Sequence, residues 1–260
     1  MPRHPFHIVD PRPWPILAAL AAFSVAAGFL SWFHEKSPRL LIIAIVTLST
    51  VAALWWRDVV RERTFIGHHT SYVARGLRLG IALFILSEAM FFFGFFWAFF
   101  HRALSPNPEI GCTWPPVGIE PIDPLALPLF NTALLLGSGF TITWSHHALL
   151  QANRQEGLRG LIWTILFGLA FTYVQFQEYK TAPFTIADGV YGSIFFVTTG
   201  FHGLHVIIGT TFLLVNLVRH FKYHFSPTHH LGFEFGAWYW HFVDVVWIFL
   251  YLCLYWWGGN

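Results

Sequence analysis

The sequence predicts an all-α integral membrane protein of seven transmembrane helices, and three observations predict it. Of 260 residues, 55% are hydrophobic and only 11% are charged, against roughly 25% charged in ordinary soluble domains. Mean hydropathy is +0.55, more apolar surface than a soluble chain of this length could hide, so the bilayer is the expected solvent. The apolar residues also fall into seven runs near the ~20-residue length that spans hydrocarbon, and no repeat of fixed period links them.

The runs, in order, are 14–33, 40–56, 77–100, 125–144, 161–176, 190–218 and 235–257. The second and fifth are short, and their amphipathic flanks are expected to extend them. The sixth is long and is expected to tilt or project. Between them lie turn-forming or charged connections: "HEKSPR", "RDVVRERTFIGHHTSYVARG", the proline-rich "PNPEIGCTWPPVGIEPIDP", "QANRQEG", "EYKTAPFTIADG" and "RHFKYHFSPTHHLGFE". The prolines of the third connection forbid regular helix.

Charge predicts the orientation. Placing the N-terminus inside puts 11 of the 15 Lys and Arg at inner ends, Arg3, Arg12, Arg57, Arg61, Arg75 and Arg154 among them. Lys36, Arg39, Arg102 and Lys180 remain outside with acids such as Glu109 and Glu120. Under the positive-inside rule this gives an inner N-terminus and an outer C-terminus. The first residues show no charged-then-apolar signal and no presequence pattern, so either insertion without cleavage or synthesis beside its membrane is expected. Cys112 and Cys253 are too few for a thiolate cluster.

The 15 histidines raise the question of a metal. Membrane di-iron enzymes cluster histidines at the inner interface, and "HFKYH" (His220–His224) fits one such box. "HFSPTHH" is one residue too long for the second, and the pairs His68-His69 and His146-His147 lack a spaced partner. One matching box is not a di-iron set, and the bland reading is interfacial histidines bonded to loops, headgroups or water. Haem ligation by His202, His205 or His241 is open, although no spacing selects them. His241 and Asp244 share a helix face. A carboxylate there costs about 2.5–3.5 kcal/mol on insertion scales, so Asp244 needs a partner. An interhelical tie is the favoured reading and a proton relay the alternative. "WWRDVVRERTFIGHH" combines Trp with Arg at an inner boundary, which suits phospholipid headgroups or serves as a topogenic charge cluster. Nucleophile elbow, phosphate loop, dinucleotide fingerprint and H-E-x-x-H are all missing from the sequence.

Five long, colinear stretches carry a resemblance: "WWRDVVRERTFIGHHT", "SEAMFFFGFFWAFFH", "WPPVGIEPIDP", "APFTIADGVYGSIFFVTTGFHGLHVIIGT" and "AWYWHFVDVVWIFLYLCLYWW". From about Pro13 to Trp257 the chain resembles the cytochrome c oxidase subunit III family. The resemblance implies helices one and two (residues 1–70) set apart from a five-helix bundle (71–260) by a V-shaped cleft that holds phospholipid. It implies a non-catalytic core subunit of respiratory complex IV, with no active site, haem or copper of its own, since those cofactors belong to partner subunits. Such a subunit packs chiefly on subunit I, stabilises it, and supports sustained proton uptake during electron transfer from cytochrome c to oxygen. The implied location is the mitochondrial inner membrane, multi-pass with the N-terminus on the matrix side, or a bacterial plasma membrane. Residue by residue, Trp56 and Arg61 match lipid-contacting positions, and Glu62, His69, Arg219 and Lys222 match positions near headgroups. Glu88 matches the family's carbodiimide-reactive intramembrane glutamate. Arg12 and Phe235 depart from the usual family residues, at positions expected to touch none of these sites.

Glu88 lies midway along the third run among phenylalanines. It is expected to face the bundle or the lipid, with Ser87 beside it helping to satisfy it, and a proton path is the competing role. Two rival readings of the whole chain are a self-contained membrane metalloenzyme and a proton channel built on Glu88 and Asp244.

Overall fold

The structure, a computed structural model, describes residues 5–108 and 111–259; Arg3 and Glu109, counted above among the charges, lie outside them. Seven α-helices form in sequence order: α1 (Trp14–Glu35), α2 (Arg39–Arg61), α3 (Ser71–Ala103), α4 (Leu127–Leu150), α5 (Arg154–Thr181), α6 (Gly189–Phe221) and α7 (Leu231–Leu250). Two wider π-helical turns, Glu62–Ile66 and Tyr251–Trp257, continue α2 and α7. The helices overrun the apolar runs. Most of the second connection is helical, leaving only residues 67–70 outside helix. Its charged residues still satisfy their backbone groups within the helix, and polarity marks where a membrane ends, not where a helix does.

Among the described residues six helices are long and apolar enough to span a bilayer; α4 is not among them. Polar residues interrupt its apolar run, and several of these are covered. Asn131, Ser138 and Ser145 of α4 are fully buried, against α5 and α7. Thr141 bonds Thr164 of α5 at 2.8 Å, and Trp240 Nε1 of α7 donates to Ser138 at 2.8 Å. A helix shielded by its neighbours carries polar groups that a lipid-facing helix could not satisfy. Gly160 of α5 permits the close approach, because a Cβ there would lie 2.9 Å from the Thr141 carbonyl oxygen.

By internal packing the chain divides after Leu77. In the first unit α1 lies against α2, closest where Gly28 meets Leu41; a Cβ on Gly28 would be 2.6 Å from the Leu41 Cα. In the second unit α4, α5, α6 and α7 build the core, with Leu135, Leu161, Phe171, Trp240 and Trp247 fully enclosed. α3 joins that core through rings: Phe91 stands edge-on to Phe201 of α6 at 5.0 Å, Phe92 lies near Phe242 of α7 at 6.3 Å, and Phe99 meets Trp257 at 5.9 Å. Offset and edge-to-face pairs of this kind add about 0.5–1.5 kcal/mol each beyond burial.

Candidate functional site

Glu88 is half-buried on α3, and its Oε2 lies 2.9 Å from Nε2 of His205 on α6. The other ring nitrogen of His205, Nδ1, sits 2.6 Å from the Phe201 carbonyl. A carbonyl only accepts, so Nδ1 carries a proton. One further proton is shared between Glu88 and Nε2. With the proton on the acid the pair is neutral, and with it on Nε2 it is an imidazolium–carboxylate pair. The rings of Phe91 and Phe92 wall the imidazole at 6.4 and 5.1 Å. Ser87 does not help, contrary to expectation: its hydroxyl donates to the Phe84 carbonyl one turn back, the usual sink for a serine hydroxyl within a helix.

The remaining intramembrane histidines are bonded within the protein. His202, fully buried, donates Nε2 to the Val243 carbonyl at 3.2 Å. His241 Nδ1 lies 3.5 Å from Asp244 Oδ2, and its Nε2 reaches Thr143 of α4 at 3.3 Å. Asp244 thus faces His241 one turn back on α7, which in turn reaches α4, while its Oδ1 is buried without a hydrogen-bond partner among the described residues.

In the first unit Glu62 is buried at the end of α2. It forms an ion pair with Arg12 and lies 3.8 Å from both His7 Nδ1 and His69 Nε2. The residues before α1 are therefore strapped onto the end of α2, and two further bonds hold the strap. Trp14 Nε1 donates to Asp58 at 2.8 Å, and the Thr70 hydroxyl donates to the Pro5 carbonyl. Arg63 donates to the His69 carbonyl. The expectation that Arg12 touches none of the carried-over sites is corrected: it binds one of them directly. Burial, then the nearby Arg63 charge, pushes the His69 imidazole below its ordinary range. His7, Glu62 and His69 gather three ligand-type atoms within 4.8 Å of one another, a donor set of the right kind for a divalent ion. The Arg12 guanidinium, however, already supplies the cation that Glu62 faces. The His220–His224 box gathers no such group among the described residues.

The expected lipid-contacting residues divide by exposure. Trp56 is 67% exposed. Arg61 is exposed and, among the described residues, has no hydrogen bond or ion pair. In the second unit Lys222 is exposed, whereas Arg219 is half-buried with its guanidinium over the Phe225 ring at 4.4 Å and its Nε unbonded. The turn that presents them is built by α6 ending in a left-handed residue, Tyr223 at φ 58°. His224 N bonds the Arg219 carbonyl and Tyr223 N the His220 carbonyl, which closes the helix end. Arg154 packs 3.8 Å over the Tyr223 ring and donates to the His220 and Phe221 carbonyls. Sequence reasoning missed Arg154 as a positioning residue. Its place just after the Asn153 cap of α5 gave no sign that it would meet the end of α6.

Compared with known proteins, the chain matches the family described as cytochrome c oxidase subunit III over residues 4–259. It is 57% identical over 256 residues to "Cytochrome c oxidase subunit 3" of Papio hamadryas, covering 98% of each chain. It is 58% identical over the same length and coverage to the proteins of that name from Branchiostoma lanceolatum and Squalus acanthias.

Proposed function

This chain belongs to the cytochrome c oxidase subunit III family, and from that premise we propose that it is the non-catalytic, lipid-holding core subunit of its complex. It is a membrane-spanning subunit whose partners are other subunits of the oxidase, and its animal relatives fit a mitochondrial inner membrane. In the proposed reading its chief partner is subunit I, which it stabilises and for which it sustains proton uptake. Haem and copper reside in partner subunits, and the N-terminus lies on the matrix side. Phospholipid headgroups bind at Trp56 and Arg61 in one unit and at Arg219 and Lys222 in the other.

The observation that carries this reading is how the polar groups are used. Those within the helices are held by the protein itself, Glu88, His202 and His205 by hydrogen bonds and Asp244 through one oxygen facing His241, as structural ties in a low-dielectric bundle would be. The cations at the helix ends, Arg61 and Lys222, are exposed and make no side-chain hydrogen bond or ion pair among the described residues. Unused donors beside tryptophan at a membrane boundary suit phosphate.

The test is lipid content of the intact oxidase by mass spectrometry. Arg61→Ala is expected to weaken headgroup retention roughly tenfold, in keeping with about 1.5–3 kcal/mol per charge-assisted hydrogen bond. Arg219→Ala is expected to lose less lipid, because part of its guanidinium is already satisfied by the Phe225 ring. Unchanged lipid in both variants would leave only a topogenic role for these charges.

A further inference from the structure

The last turn of α3 holds a second pair of basic residues, His101 and Arg102. Trp97, Ala98, His101 and Arg102 of α3, with Val190 and Ile194 of α6, line a recess of about 300 Å³. All six belong to the second unit. Neither the His101 nor the Arg102 side chain makes a hydrogen bond, ion pair or ring contact with any described residue. Asp188, the acid at the start of α6, is engaged elsewhere: its Oδ2 accepts from the backbone and hydroxyl of Thr185 at 2.6 and 3.1 Å.

From this geometry we infer that the recess is a binding site for one anionic phospholipid, with its phosphate on Arg102 and His101. Depth is the first argument. Arg78 is already paired with Glu234 at 3.0 Å near the other end of α3. At 1.5 Å per residue the 24 residues from Arg78 to Arg102 span about 36 Å, slightly more than the ~30 Å hydrocarbon layer. If Arg78 lies at one headgroup level, Arg102 lies at the other. Composition is the second. Trp97, 65% exposed, stands about 7.5 Å deeper along the helix, at the level where an indole prefers the interface. Ala98, Val190 and Ile194 give the recess an apolar floor that fits an acyl chain and offers nothing to a hydrated ion. Charge is the third: a half-buried guanidinium, unpaired among the described residues, presents a fork matched to phosphate. The site is separate from the lipid reading of Arg61 and Arg219 and stands on other residues.

The test uses the whole oxidase, purified in mild detergent, depleted of lipid and re-supplied with dioleoyl phosphatidylglycerol or dioleoyl phosphatidylcholine. Bound lipid per complex is read by native mass spectrometry. The wild-type complex should retain one more phosphatidylglycerol than the Arg102→Gln complex, with retention about tenfold weaker in the variant. Arg102→Lys should recover part of it, which separates loss of charge from loss of fold. Trp97→Ala should weaken both lipids alike, and Arg61→Ala should leave this one bound. Three results would overturn the inference: phosphatidylglycerol retention unchanged by Arg102→Gln, complete displacement by inorganic phosphate (a bare anion site), or loss of a partner subunit from the Arg102→Gln complex in place of lipid.

Discussion

Glu62 and Glu88 are both carboxylates on apolar helices, and the chain satisfies them in different ways. Glu62 sits at a helix end, enclosed by Arg12, His7 and His69, so a permanent cation balances it and two histidines line its other sides. Glu88 sits inside a span with the single partner His205, and no permanent charge faces it among the described residues. The contrast follows from solvent. Near the boundary, water and headgroups lower the cost of bringing an arginine to an acid. Inside hydrocarbon a full ion pair loses more in desolvation than it regains, and a pair that shares a movable proton can stay neutral.

The largest expected effect comes from breaking the Glu62 site. Glu62→Ala leaves the Arg12 charge without its partner in a mostly buried place, a loss of order 3 kcal/mol. The strap before α1 should come free. Hydrogen exchange of residues 5–13 in the intact complex should rise sharply, and unchanged protection would show that Trp14–Asp58 and Thr70–Pro5 suffice alone.

A smaller effect is expected at Glu88. Glu88→Gln should be nearly silent for turnover and pumping, because its amide N–H donates to neutral His205 Nε2 much as the acid does. Glu88→Ala removes that donor and opens space beside Phe91 and Phe92, at about 1–3 kcal/mol for the orphaned imidazole. A double-mutant cycle of Glu88→Ala with His205→Ala, read as thermal stability of the complex, should give a coupling of about 1–2 kcal/mol. Loss of pumping in a fully assembled Glu88→Gln enzyme would make the pair a proton relay and collapse the contrast with Glu62.

The smallest effect is a pH dependence confined to the first unit. Because burial holds His69 below its ordinary range, folding opposes its protonation. The stability it contributes is complete above about pH 6.5, the unfolded value. It is lost as pH falls from there through the lowered folded value. Exchange protection of residues 5–13 should therefore fall between about pH 7 and pH 5 in the wild type and change less in His69→Gln. An identical pH profile in the two would assign the titration to another group.

Reading the sequence alone went furthest where one residue's solvent decides the outcome. The number of helices, their order and their membrane character follow from runs of apolar residues, since each run must bury itself in lipid or protein wherever its neighbours lie. Glu88 stood out for the same reason: a carboxylate among seven phenylalanines needs a partner. Which partner it takes could not be read. His205 lies 117 residues away, Ser87 lies beside it, and only the packing of α3 on α6 chooses between them. The strap shows the same limit. Arg12 looked like a neutral departure because nothing local links it to Glu62, and chain folding brings them together. The flanks of the second and fifth runs extend their helices as expected, whereas α3 starts at Ser71, six residues before its apolar run. Charged residues leave the membrane without leaving the helix, because backbone hydrogen bonding is indifferent to side-chain polarity. α4 looked like the other spans in its run of apolar residues, yet its Asn131, Ser138 and Ser145 are fully buried only because α5 and α7 cover them. Periodicity and polarity are local quantities and survive in the sequence; the partner of a buried donor or acid is a property of two distant segments, and only the tertiary structure supplies it.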